Sequence, residues 1–329
     1  MCTYNGGSYL QEQLDSIAMQ SRLPDELIIC DDRSSDNTRE IIETFASQTS
    51  FPVRLHVNER NLGSTKNFEK AIGLCDGDII ALSDQDDVWH SEKLRRLEAA
   101  LLSIPKAGMV FSDAEVVDEG LRPLGYSVWQ CPGIEFNQTT QRLFKEGKAF
   151  DVLLGRNVAT GAAIAFRAKY KELFLPIPGD LIQNGLNMIH DGWIALMIAA
   201  VADLSFIDEP LIKYRQHSKQ QLGLRLAVKA NVLKPRSGNL RAIVQRKNFY
   251  LDEIYLLKTV YERLIARANS FDCKIDMSNV KAKIVHLQSR DNMPERKLSR
   301  VPYVLKELLT LRYHLYSNGI YSAAKDLLS

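Results

Sequence analysis

The chain has 329 residues and a net charge of +2, with 45% hydrophobic and 25% charged residues, which fits one large α/β domain or two smaller ones and excludes a fibrous or disordered chain. No secretory signal and no apolar run near 18 residues is read, so no segment is expected to span a membrane. Five scattered cysteines (Cys2, Cys30, Cys75, Cys131, Cys273), with no C-x-x-C pair, argue against a disulfide framework or a cysteine zinc site and fit a reducing cytosol. The small net charge hides an asymmetry: residues 221–329 hold 20 Lys+Arg against 9 Asp+Glu, whereas residues 1–220 hold 22 against 31. The acidic part suits a metal, and the basic part suits an anionic partner such as a membrane surface or a nucleic acid.

Asn5-Gly6-Gly7 is turn chemistry, and a helix follows with Leu10, Leu14, Ile17 and Ala18 on one face. Such a turn normally follows a strand. Only four residues precede it, so the expectation is a first strand cut short, with a segment missing upstream. Leu27–Cys30 reads as a buried strand with Asp31 and Asp32 at its carboxyl end, where a carboxylate can accept from a ribose hydroxyl or a base N–H. Asp36 is expected to cap the next helix, which carries Ile41, Ile42 and Phe45. Val53–Val57 is a third strand, and a loop leads from it to a helix over 67–74. In that loop Gly63 lets backbone N–H groups approach an anion and Lys66 adds a point charge. Taken singly, Gly63 reads first as a turn glycine.

Ile79–Leu82 reads as a short buried strand that ends in Asp84, Asp86 and Asp87. Three carboxylates in four residues repel one another and need a cation or strong donors. Oxygen ligands suit Mg²⁺ or Mn²⁺ shared with a phosphate; a solvated acidic turn is the alternative. The strand–helix alternation predicts a mostly parallel sheet with helices on both faces. Ser91 is expected to cap a helix with Leu94, Leu97 and Leu101. Met109–Phe111 is a strand, and the stretch 125–144, with Trp129 and Phe136, reads as an excursion over the site. Residues 157–166 form a small-residue strand. His190-Asp191 starts a helix, where a lone Asp reads first as a cap. Residues 211–217 form the last strand-like run, and a single His217 there reads first as a surface or packing residue.

Taken in order, Thr3-Tyr4-Asn5-Gly6, Asp31-Asp32-x-Ser34-x-Asp36-x-Thr38, Asn61-x-Gly63, Asp84-x-Asp86-Asp87, His190-Asp191 and Tyr214-Arg215-Gln216-His217 resemble the family-2 glycosyltransferases of GT-A fold. More narrowly they resemble the bacterial rhamnosyltransferase-like members that build cell-surface polysaccharides. The resemblance covers roughly residues 1–220, with a weaker echo at Leu311-Arg312-Tyr313-His314. It implies a GT-A domain over 1–220, with a nucleotide-binding half and an acceptor half, followed by a basic helical region over 221–329.

The resemblance also implies roles. Thr3, Tyr4, Asp31 and Asp32 hold the nucleobase and ribose of the donor. Gly63 and Lys66 lie along the donor-side loop. Asp84 sits near ribose and metal, Asp86 ligates a divalent cation (Mg²⁺ or Mn²⁺), His217 joins the metal and the diphosphate, and Asp191 is the catalytic base. Departures from the family pattern are the short first strand, His190 where Glu is common, and Ser218 where close relatives often carry Gly. The implied reaction is inverting transfer of a sugar, rhamnose by overall resemblance, from a dTDP- or UDP-sugar to a glycan or lipid-linked glycan. A nucleotidyltransferase and a non-catalytic nucleotide-sugar binding protein remain open. The basic region is either a solvated helix face or a contact with an anionic membrane, which would place the protein in the cytoplasm at the inner face of the plasma membrane. No nucleic-acid motif is present, so no nucleic-acid partner is expected.

Overall fold

The computed structural model describes residues 1–179, 181, 188–218, 220, 240–267, 269–272, 276–317 and 319–328, with no side-chain description over 240–249. Residue 221, where the basic region was expected to begin, lies outside the described residues, as does Cys273; Arg241, Arg246 and Lys247 fall where side chains are not described. The described residues fall into two compact units. One holds 1–179, 188–218 and 220, and the other holds 181 and the residues from 240 on.

The first unit opens with three parallel strands, β1 (Cys2–Thr3), β2 (Leu27–Asp31) and β3 (Val53–Val57), in the order β1-β2-β3. Between and after them run α1 (Leu10–Ala18), α2 (Thr38–Gln48) and α3 (Ser64–Leu74). Most of the expected stripes are buried: Leu10, Leu14 and Ile17 of α1 and Ile42 and Phe45 of α2 are in the core, whereas Ile41 is half-buried and Ala18, in the last turn of α1, is exposed. β1 is two residues long. The N-cap of α2 is Asn37, with no side-chain cap bond, rather than the expected Asp36; Asp36 stands one residue earlier, its Oδ1 accepting from the Thr38 amide at 3.1 Å and its Oδ2 from the Gly7 amide at 3.0 Å. α3 begins three residues earlier than the expected 67, because Gly63, at φ 78°, makes the turn that its lack of a Cβ permits.

The chain continues as β4 (Ile79–Ala81), β5 (Val88–Trp89), α4 (Lys93–Ser103), β6 (Ala107–Val117), β7 (Pro123–Ser127), α5 (Gln138–Lys145), α6 (Ala149–Gly155), β8 (Ile164–Arg167), α7 (Lys171–Phe174), α8 (His190–Ala199) and β9 (Asp203–Arg215). These strands form a second sheet in the order β4-β8-β6-β9-β5, with β7 on β6. β6 and β9 are parallel and the other pairs antiparallel. The α/β fold with a helix-flanked parallel sheet is thus present. Its parallel character is concentrated in β1–β3, where helices make the crossovers; the later strands arrive through long excursions and pair in both senses. The two sheets meet where the Cys2 amide donates to the Ser83 carbonyl at 3.3 Å.

Several local expectations change. Ser91 does not cap α4, whose N-cap is Glu92 with no side-chain cap bond. The strand expected over 157–166 shrinks to β8, because Gly161–Ala163 form a 3₁₀ turn. The stretch 125–144, read as an excursion, is anchored: Trp129, Phe136 and Phe144 make an edge-to-face cluster with Phe111 of β6, which Phe206 of β9 joins. α8 is buried along its whole length, with the Trp193 indole donating to the Phe174 carbonyl at 2.9 Å.

The second unit is helical: α9 (Leu240–Ala266), α10 (Met277–Asp291), α11 (Lys297–Leu309), α12 (Arg312–Tyr316) and α13 (Ile320–Leu328). Its interior combines Val304, Tyr313 and Ala323 with ion pairs on buried carboxylates, Arg312–Glu307 at 3.2 Å and Arg290–Asp326 at 2.6 Å, and a His286–Glu307 hydrogen bond at 2.7 Å.

Candidate active site

The strand ends gather the chemistry. β4 stops at Ala81, and the chain turns through Asp84, Gln85, Asp86 and Asp87 before β5. On the far side of the sequence, β9 delivers Arg215 and, two residues on, His217. The Nε2 of His217 lies 2.8 Å from Oδ2 of Asp86, so residues 131 apart in sequence share one spot. Arg215 is buried beneath them. Its Nε donates to the Asp86 carbonyl at 2.8 Å, its guanidinium reaches Glu12 and the Glu119 carbonyl, and it packs over the Tyr9 ring. Asp87 is buried, accepts the Arg215 amide at 3.1 Å on Oδ1, and leaves Oδ2 without a partner. Burial, with Asp86 and Asp191 adding like charge, pushes the Asp84 carboxyl up to about 7. Burial likewise lifts Asp87 well above the usual carboxylate range. An acidic cluster in this state stores repulsion that a cation would relieve.

Asp191 occupies the first turn of α8, and it is not a cap in the usual sense. Its Oδ2 accepts from the Gly161 amide at 3.0 Å, across to the 3₁₀ turn, and its Oδ1 accepts from the Gly192 amide at 2.6 Å. Burial raises its pKa to about 6, with hydrogen bonds from Gly192, Gly161 and Asn157 holding it back. A carboxylate so poised is ionised at neutral pH yet more basic than a solvated one. Beside it His190 is buried, stacked on Phe68 at 4.0 Å between centroids, with neither ring nitrogen hydrogen-bonded. Burial pushes its pKa down to about 3, so the ring is neutral.

Thr3, Tyr4, Asp31 and Asp32, expected on the donor side, lie at the ends of β1 and β2. Thr3 Oγ1 donates to Asp31 Oδ1 at 2.9 Å. Asp31 is fully buried, and its other oxygen takes the Ser34 amide at 2.9 Å and Arg39 at 3.3 Å. Asp32, also buried, accepts from Asn58 at 2.8 Å, the Leu62 amide at 2.7 Å and the Gly63 amide at 2.8 Å. Both carboxylates, expected at ligand-facing positions, take hydrogen bonds from the loops beside them, Asp31 mostly from side chains and Asp32 from two backbone amides and Asn58. The Gly63 amide, expected to let an anion approach, donates to the Asp32 carboxylate. Lys66 Nζ is held by Glu69 at 2.8 Å and by the Ile177 carbonyl at 2.6 Å, so it is not a free point charge. Tyr4 is half exposed, and its backbone is clasped by Gln85, which accepts from its amide at 2.8 Å and donates to its carbonyl at 3.1 Å.

Residues 1–174 match the family described as glycosyl transferase family 2. The chain belongs to that family. The dTDP-rhamnosyl transferase RfbG of Shigella flexneri is 30% identical to this glycosyltransferase over 243 residues, 70% of this chain and 76% of that protein. The abequosyltransferase RfbV of Salmonella typhimurium is 35% identical over 101 residues, 30% of each chain. Among solved structures, S. aureus TarS has a TM-score of 0.53 at 14% identity, covering 95% of this chain and 49% of that one, so this chain spans about half of TarS. TarS 1–349 in complex with UDP-GlcNAc has a TM-score of 0.50 at 14% identity, covering 99% of this chain and 80% of that one. At such identities these two show the fold alone. The family match ends before Asp191 and His217, so those two rest on the geometry above.

The residues of the glycosyltransferase fit a divalent cation in part. Two ligands of one small ion, each about 2.1 Å from it, stand about 3 Å apart, close to the 2.8 Å between Asp86 and His217. Among the described residues no group of three His, Cys, Asp or Glu is gathered for a metal. Two protein ligands with the rest from phosphate and water is a common Mg²⁺ arrangement. Three residues that sequence reasoning gave no role stand out: Arg215, Gln85 and Lys93. The strand period offered a signal for Arg215, since residues two apart on β9 share a face with His217. Nothing local marked the other two.

Proposed function

We propose that this glycosyltransferase moves a sugar, with inversion at C1, from a dTDP- or UDP-linked donor to a hydroxyl of a glycan or lipid-linked glycan during cell-surface polysaccharide assembly. Rhamnose is the proposed sugar, on the strength of the Shigella relative's name. The observation that carries the reading is the meeting of Asp86 and His217 at 2.8 Å, with Asp191 close enough for its charge to bear on Asp84. In this reading Asp191 accepts the proton of the attacking hydroxyl. The new O–C1 bond forms as the C1–O bond to the diphosphate breaks, and the nucleoside diphosphate leaves with the electron pair. Asp86 and His217, with Asp84 alongside, would hold a divalent cation, which when bound supplies Lewis-acid neutralisation of the diphosphate. Thr3, Asp31 and Asp32 shape the nucleoside pocket through the loops they brace. Tyr4, Gly63 and Lys66 line its donor side. The test is nucleoside diphosphate release from a panel of dTDP- and UDP-sugars with Mn²⁺, with and without a glycan acceptor. Acceptor-dependent release supports the reading. Pyrophosphate release, or binding without turnover, refutes it.

The second unit supports attachment to an anionic membrane surface, and with it a cytoplasmic place at the inner face. No helix among the described residues is long and apolar enough to cross a membrane. Along α11, Leu298, Val301, Leu305 and Leu309 form one exposed stripe at helical spacing, 88% and 84% exposed at its two ends. Lys297 and Lys306 are exposed on the same helix, whereas the acids Glu307 and Asp326 are buried in the ion pairs described above. Exposed leucines beside lysines suit an interfacial helix on anionic lipid. Flotation with phosphatidylserine vesicles, lost in a Leu298/Leu305/Leu309→Ser variant, supports attachment; protein left at the bottom of the gradient refutes it.

A further inference from the structure

Lys93 breaks three local rules at once. It is the first residue of α4, where the helix dipole disfavours a cation. It is fully buried, where lysine is almost never found unpaired. Among the described residues it has no carboxylate at ion-pair distance: its ammonium donates to the Ala162 carbonyl at 2.6 Å and lies 3.5 Å from the centroid of the Trp89 ring. Residues that violate several local preferences together are retained for function more often than for stability.

The Ala162 carbonyl belongs to the 3₁₀ turn Gly161–Ala163, and the Gly161 amide is the donor that holds Asp191 Oδ2 at 3.0 Å. The turn is tight against the base. A Cβ on Gly161 would stand 3.1 Å from His190 Nε2 and 3.4 Å from Asp191 Cβ. A shift of the turn therefore moves or releases the carboxylate.

We propose that Lys93 is a positioning residue for the base: by gripping the Ala162 carbonyl it fixes the turn whose Gly161 amide aims Asp191. This rests on Asp191 being the base. The grip does not depend on charge, because ammonium and amine both donate N–H. That matters here, since burial pushes the Lys93 pKa well below the ordinary lysine range. Among the described residues, the groups that face Asp191 are the Gly161 and Gly192 amides, the Asn157 side chain and the neutral His190 ring, with Asp84 and Tyr214 linked to it through its charge.

The test is Lys93→Met, which keeps the stem against Trp89 and removes the donor, read by thermal melting and by kcat and donor KM across pH. A loosened Gly161 bond should move the acidic limb of kcat up by about half to one pH unit and lower kcat about tenfold, with donor KM within about twofold. If Lys93→Met does not melt cooperatively, Lys93→Leu, which is shorter and also lacks the donor, carries the same measurement. A folded variant with the native kcat and limb overturns the proposal. So does a loss confined to donor KM, or failure of both variants to fold, which would make Lys93 a support of the core alone. Asp191→Asn is run beside them. If it retains the native kcat, the base reading itself falls; if it abolishes transfer while Lys93→Met is unchanged, only the Lys93 proposal falls.

Discussion

Asp191→Asn separates chemistry from binding. The carboxylate titrates at about 6, so about nine-tenths of it is ionised at pH 7 and about one-tenth at pH 5, and kcat should rise through that range. Removing the base should cost about 10²–10⁴-fold in kcat while donor affinity stays within about twofold. Stability should respond with a defined sign. Burial holds the folded pKa above that of the unfolded chain, so the folded form keeps its proton longer. The native protein's advantage over the Asn variant is then full below about pH 4 and is lost as pH rises to about 6. Raising a carboxyl from its ordinary range to about 6 amounts to about 3 kcal/mol at most. The assay is nucleoside diphosphate release from pH 4.5 to 8, with denaturant melts of both proteins at pH 4.5 and 7.5. A variant within about threefold of native kcat, or a stability difference that grows with pH, refutes the reasoning.

Replacing Asp86 or His217 with Ala should lower Mn²⁺ affinity, read by calorimetry, by about 10–100-fold and abolish metal-dependent turnover; unchanged Mn²⁺ binding would move the metal elsewhere. Arg215→Met strips the donor from the Asp86 carbonyl and should destabilise the fold by about 3 kcal/mol, read as a lowered Tm, because buried partners are left unpaired. Gly161→Ala pushes a methyl against His190 and Asp191. It should lower kcat by about tenfold with little change in donor KM, and native turnover would show that the turn yields freely.

Much of the first unit was legible because its patterns are local. The stripe of Leu10, Leu14 and Ile17 and the apolar run at Leu27 need no partner to be recognised, and these residues are buried, though Ala18 of the same stripe is exposed. The meeting of Asp86 and His217 was legible only as motif order, since no local rule joins residues 131 apart. What could not be read was the pairing of hydrogen-bond donors with acceptors. Asp31, Asp32, Gly63 and Lys66 stand at ligand-facing positions in sequence, yet their polar atoms are taken by donors and acceptors that only the folded chain brings near. Lys93 sat in an ordinary amphipathic helix start, where a lysine reads as solvated surface. Its burial follows from how α4 meets the second sheet, which is a tertiary fact.

The helix that carries Asp191 has no solvent face from His190 to Ala199. Any side-chain change along it is a core change, with the stability loss that such changes bring. Sequence divergence is therefore channelled away from α8 and into the surrounding connections, which can be lengthened or recomposed while Asp191 stays where it is.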